Sequence, residues 1–218
     1  MNTTLGNASQ LIHRKGAKRR ADVPAEVLDR LNRGELATKT LAESLVIDFR
    51  ILLTHAVPHH TFPDVATDLS FATGFMQRNR TAAAYLVVAL GRHVVKELGN
   101  HVSDVVRGWV ALAIGFFPNL TLKSCLRQIR RFANDPHFAV REYAWMAARP
   151  HLAKNLESSF RLLLPWAQHQ EANIRRFAIE VLRPRGVWCM HIDVLRPLHN
   201  LAFTTPAADF GRLYPTNR

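Results

Sequence analysis

Apolar residues recur at three- and four-residue spacing along most of the chain, and nowhere do they alternate with polar residues as a half-buried strand requires. Helices are predicted over 24–32, 40–56, 64–77, 81–98, 101–117, 121–133, 138–148, 152–169 and 173–182. The punctuation agrees: Pro24 sits in a first helical turn, and Pro58 with His59 and His60, Gly99-Asn100, Pro118-Asn119 and Asn134-Asp135-Pro136 interrupt the pattern. An all-α protein of short helix pairs is the expectation. Residues 1–20 carry no periodicity and read as a flexible basic arm, 21–200 as a single repeat domain, and 201–218 as an irregular tail broken by two prolines and a glycine.

Within the domain the pattern repeats. Sliding 132–150 onto 166–184 brings Ala133, Arg141, Ala144, Arg149 and Pro150 onto Ala167, Arg175, Ala178, Arg183 and Pro184, with Val140/Ile174 and Tyr143/Phe177 similar. A weaker copy sets Val106-Arg107-Gly108-Trp109 against Val140-Arg141-Glu142-Tyr143, so the arginines at 107, 141 and 175 are evenly spaced by 34 residues. A fixed period of this length predicts stacked helical hairpins, an α-solenoid in which each hairpin buries its apolar face against its neighbours. Tetratricopeptide repeats share the length but not the Trp, Leu-Gly and Tyr pattern. An Asp in the turn, then Val-Arg and then Ala on the second helix, resembles a HEAT-like repeat.

Charge adds a partner. Lys and Arg number 29 against 17 Asp and Glu, a net charge of +12 that calls for a polyanion, most simply nucleic acid and less simply an anionic membrane surface. Apolar residues make up 48%, enough for a core. Apolar runs such as Trp109 to Pro118 fall far short of the ~20 residues of a membrane span, and the amino terminus has no apolar signal core. The expectation is a soluble, cytoplasmic, nucleoid-associated monomer with no membrane partner. Cys125 and Cys189 form no CxxC pair and read as buried thiols, and His55, His59 and His60 lack the acid that would complete a metal site, so neither metal nor cofactor is expected.

The repeat puts Arg107, Arg141 and Arg175 in one row, with Arg149 and Arg183 in a second and Arg176 and Arg185 beside them. Each could bridge to an acid of the next repeat and staple the stack. Arginines outnumber acids over 121–196, however, and a surplus facing solvent matches a phosphate backbone in sign and shape. Arg14, Lys15, Lys18, Arg19 and Arg20 extend the basic surface. Tyr143, Phe177 and Trp166 are expected in the core, whereas Trp109, Trp145 and Trp188 are candidates for contact with a base or lesion. Trp145 lies four residues from both Arg141 and Arg149, and a ring flanked by guanidinium groups can stack on a flat or cationic base.

These residues carry a resemblance. Arg14-Lys15-Gly16-Ala17, Asp22-Val23-Pro24, Val27-Leu28, Leu31-Asn32 and Gly34-Glu35 look like the amino-terminal segment of bacterial DNA alkylation repair proteins. Val140 to Trp145 with Arg149-Pro150-His151, and then Arg175-Arg176-Phe177-Ala178 with Arg183-Pro184-Arg185-Gly186-Val187-Trp188-Cys189 and His191-Ile192, resemble the central motifs of that family over about residues 14–200. The resemblance implies a HEAT-like-repeat DNA glycosylase that removes cationic N3- and N7-alkylpurines along a concave basic face. It also implies that aromatic rings and a carboxylate stabilise the developing oxocarbenium charge of the sugar.

The chain departs from that family where the carboxylate belongs. Residues 201–218 replace the family's last helix and its terminal acid, and where another branch has an acid four residues after a mid-chain tryptophan, Trp109 is followed by Ala113. Glu142 and Asp209 are the remaining catalytic candidates, with a surface or stapling role favoured for Glu142. The expectation is a DNA-binding protein with weak or no glycosylase activity; the competing reading is a non-catalytic solenoid scaffold for an acidic protein or nucleic acid.

Overall fold

The computed structural model describes residues 11–183, and the chain groups into two compact units that meet in sequence between Phe117 and Pro118. Among the described residues the protein is all-helical, with eleven complete helices, two turns of 3-10 helix and no strand.

In the first unit, α1 (Ala25–Asn32) follows Pro24, and α2 (Leu41–Val46) is capped by Thr40, whose hydroxyl accepts the Glu43 N–H. The helix predicted over 40–56 divides because Ile47 takes extended backbone and Asp48 starts α3 (Phe49–Ala56) by accepting the Arg50 N–H at 2.9 Å. The next prediction shifts too. Only Val65–Asp68 (α4) is helical before a bend, and α5 (Phe75–Leu90) runs through the expected break at 78–80, where no Gly or Pro interrupts it. Gly91, at φ +55°, ends α5 in a conformation that side-chain-bearing residues rarely adopt, and the 3-10 turn Gly91–His93 leads to α6 (Val94–Leu98). Helix α7 (Asp104–Ile114) is buried along nearly its whole length and packs against α3, α5 and α6. Trp109, Phe49, Leu52, Leu86 and Ile114 form the centre of this core.

The second unit is two helical hairpins, α8 (Leu122–Ala133) with α9 (Phe138–Leu152) and α10 (Leu156–Ala167) with α11 (Ala172–Glu180), and α11 also touches both helices of the first pair. The 34-residue period survives in the coordinates: α8 and α10 start at 122 and 156, and α9 and α11 start at 138 and 172. Their caps repeat as well, since Thr121 accepts the Ser124 N–H at 3.2 Å and Asn155 accepts the Ser158 N–H at 3.1 Å. Helix α9 passes the predicted end at Ala148 and absorbs Pro150 near its last turn, where one intrahelical bond is forgone but the Ala153 N–H still reaches the Arg149 carbonyl. Ile129, Phe132, Val140, Leu152, Leu163 and Phe177 fill the space between the helices.

Candidate nucleic-acid interface

The repeated arginine row has a conserved geometry within the chain. Arg107 Nη1 donates to the carbonyls of His101 and Val102 at 2.7 and 2.9 Å. Arg141 Nη1 donates to Asp135 and Pro136 at 2.7 and 2.9 Å, and Arg175 Nη1 to His169 and Gln170 at 2.8 and 2.8 Å. In each case the side chain leans back over the first turn of its helix, as helical side chains do, and closes on the loop that enters it. Arg141 is half-buried, and burial together with the nearby Arg176 charge holds its pKa below the ordinary arginine value.

The second arginine position bridges the hairpins. Arg149 donates through Nε to the Val181 carbonyl and through Nη2 to the Glu180 carbonyl, both at 3.1 Å, and so meets carbonyls at the carboxyl-terminal end of α11, where a cation is favoured. Its guanidinium carbon also lies 4.0 Å from the Trp145 ring centroid, which occupies one face of that indole. Arg141, expected on the other side of Trp145, is turned towards its loop instead. The indole N–H of Trp145 is buried and unpaired. Arg176 Nη2 meets Glu142 Oε1 at 2.8 Å across α9 and α11, with both side chains about a third exposed, so the stapling ion pair exists one position along from the arginine row. Arg183 Nη1 bonds Glu180 Oε1 at 2.7 Å.

Other candidates lie elsewhere. Trp109 is fully buried, edge-on to Phe49 at 5.1 Å, and its indole N–H donates to Asn79 Oδ1 at 3.0 Å; it is a core residue with no face for a base. Tyr143 and Phe177 are buried as expected, and Trp166 is half-buried against Phe177 at 5.3 Å. Trp188, Arg185, Asp209 and Cys189 fall outside the described residues, as does the tail 201–218.

The arm prediction is corrected over residues 14–17. Arg14 reaches Glu43 Oε2 at 2.7 Å and the Ala37 carbonyl at 3.2 Å, the Ala17 N–H donates to Glu43 Oε1 at 3.2 Å, and the Thr40 hydroxyl donates to the Ala17 carbonyl at 2.6 Å. A basic run was read as solvated because its buried acid partner lies 29 residues further on. Lys15, Lys18, Arg19 and Arg20 are exposed, with Arg19 paired to Asp22 at 2.8 Å.

One basic surface was missed as a unit. Helix α8 carries Lys123, Arg127, Arg130 and Arg131, all exposed, and no acid of its own. Steps of four and three residues put Lys123, Arg127 and Arg130 on one side of the helix, and that spacing was visible in the sequence. Arg130 donates to His169 Nε2 at 2.7 Å and lies 5.8 Å from the Trp166 ring centroid. Over 118–183, eleven Lys and Arg face five Asp and Glu, and three of those acids are already in ion pairs with Arg176, Arg161 and Arg183.

No family model, curated protein or solved structure matches the chain. Among the described residues no helix is long and apolar enough to cross a membrane.

Proposed function

We propose that this protein binds double-stranded DNA in alkylation repair, as a HEAT-like solenoid resembling the alkylpurine DNA glycosylases but with weak or no base excision. The observation that carries the DNA reading is the cationic side of α8, where Lys123, Arg127 and Arg130 stand exposed in a unit that is short of acids. A row of cations on a rigid helix meets a phosphate backbone without reading its sequence. Arg149 with Trp145 supplies an aromatic and cationic pair, and the remaining indole face is the part left to stack on a flat or cationic base.

The chemistry is the weaker half of the function. A cation developing at the anomeric carbon is stabilised most by a fixed carboxylate. Glu142 already serves Arg176, and Asp209 is the other candidate. The test has two arms. Duplex DNA should bind with affinity that falls steeply with salt, by about 0.9 in log K per log unit of salt for each phosphate neutralised. In single-turnover assays on N7-methylguanine DNA, base release should be slow or undetectable. Salt-insensitive binding would remove the DNA reading, and rapid release would restore a full glycosylase with Glu142 and Asp209 as the acids to replace first.

The engagement of Arg107, Arg141 and Arg175 by loop carbonyls favours the second reading, a scaffold for an acidic protein, since arginines used inside the fold need no external phosphate. Under that reading an acidic protein should outcompete duplex DNA at equal salt.

A further inference from the structure

Arg78 is the least satisfied charged group among the described residues. It lies in the first turn of α5, is 3% exposed, and its Nε and Nη1 are buried without a hydrogen-bond partner. Its guanidinium carbon sits 4.7 Å from the ring centroid of Phe49, 4.6 Å from that of Phe71 and 5.8 Å from that of Phe75. Aromatic faces attract the positive charge but accept none of its in-plane N–H groups. Asp48, the nearest acid acting on it, is held by Arg50, whose backbone N–H and Nε both bond Asp48 Oδ1. Burial depresses the Arg78 pKa and the positive charge of Arg20 adds to that depression, while Asp48 opposes it. A buried cation is ordinarily paired and its donors ordinarily met.

The surroundings point to the missing acceptor. Helix α5 is sixteen residues long, its N-cap is Gly74, and no side chain caps it, so the amino-terminal N–H groups of Phe75, Met76 and Gln77 have no intrahelical acceptor. Helical side chains lean towards the amino terminus, and contact with Phe71 and Phe75 places the Arg78 guanidinium at that end. A guanidinium fork and an uncapped helix start meet there, and the positive charge of Arg20 is felt at Arg78. Phe71, whose ring lies against the Arg78 guanidinium, is 55% exposed as a residue.

We propose that the amino-terminal end of α5 is a phosphate-binding site, in which Arg78 grips two phosphate oxygens through its fork, the first N–H groups of α5 meet a third, and the positive charge of Arg20 adds to the attraction. The group could arrive as free phosphate or as part of a nucleic-acid backbone, and the chemistry at Arg78 is the same. This site lies on residues 1–117, apart from the α8 surface on which the DNA reading rests, so either can fail alone.

The experiment follows the Arg78 Nε–H resonance of the full chain, assigned from its absence in Arg78→Lys, while inorganic phosphate and then a short unmodified duplex are added. Inorganic phosphate in the millimolar range should shift that resonance and raise the melting temperature. Arg78→Lys keeps the charge but not the fork and should weaken phosphate binding about ten-fold or more. Arg20→Ala, an exposed substitution that leaves the fold intact, should weaken it severalfold. If the duplex shifts the resonance and phosphate does not, the source is a backbone phosphate and the site stands. If neither shifts it, or if Arg20→Ala and a folded Arg78→Lys bind phosphate like the parent, the proposal is overturned. Arg78→Lys that loses phosphate yet binds duplex with an unchanged salt slope would leave the α8 reading untouched.

Discussion

The arginines of this chain divide by what their guanidinium groups touch, and that division decides what each substitution should do. Arg175 closes on two loop carbonyls at 2.8 Å, a contact worth about 1.5–3 kcal/mol when a charged donor is involved. Arg175→Ala should therefore lower the melting temperature by several degrees and leave the salt slope of DNA binding unchanged. Equal stability together with a slope flattened by about one unit would instead return Arg175 to the phosphate track. Glu142→Gln should be mild by comparison. Its partner Arg176 remains a third exposed, and partly solvated ion pairs contribute about 0–1 kcal/mol, so a shift of less than that in chemical denaturation is expected. The recurrence of these arginines was legible in the sequence. Their direction was not, because a period fixes register along a helix, whereas the acceptors are backbone carbonyls that carry no residue signature.

At the scale of elements, the segment before the first helix is where pattern reading and structure part most clearly. Five charged residues without apolar periodicity resemble a solvated tail, yet Glu43, with a side chain 1% exposed, collects Arg14, the Ala17 N–H and the Lys39 N–H. Such a carboxylate is invisible to a local pattern because its partners are distant in sequence. Removing one member of a buried pair leaves the other charge stranded, at a cost of about 3–5 kcal/mol. Glu43→Ala and deletion of residues 1–20 should thus both destabilise the chain, measured by thermal unfolding; an unchanged melting temperature on deletion would reinstate the mobile arm. Gly16 tightens the test, since an added Cβ would lie 2.5 Å from Lys39 Cβ and 2.6 Å from Thr40 Cγ2, and Gly16→Ala should also destabilise. Helix ends followed the same logic. The caps at Thr121 and Asn155 fall where turn residues announced them, while the α2/α3 break at Ile47-Asp48 has neither Gly nor Pro and depends on an aspartate that starts a helix in the middle of an apolar run.

For the whole molecule, the separation of contacts at Phe117 and Pro118 assigns two titrating groups to different units. In the first, burial and the Arg107 charge push the His101 pKa below its ordinary value, and Nδ1 accepts the Ser103 N–H at 3.1 Å, a bond that a protonated ring cannot keep. The unfolded chain binds the proton first, so stability supplied by neutral His101 is complete above about pH 6.5 and is lost as pH falls towards the depressed folded value. In the second unit, burial pushes the Cys125 thiol up to about 11. There the unfolded chain releases its proton first, near the ordinary thiol value, so stability is intact below about pH 8.5 and declines as pH rises towards 11. Amide exchange followed by mass spectrometry should therefore show protection weakening in α7 and its entering loop between pH 6.5 and 5, and in α8 and α9 between pH 9 and 10, after correction for the intrinsic exchange rate. The alkaline effect should amount to at most about 1.4 kcal/mol per pH unit and should vanish in Cys125→Ala, while the acid effect persists. Loss of protection in both units at both extremes would show one cooperative body, the single domain that the repeat pattern predicts.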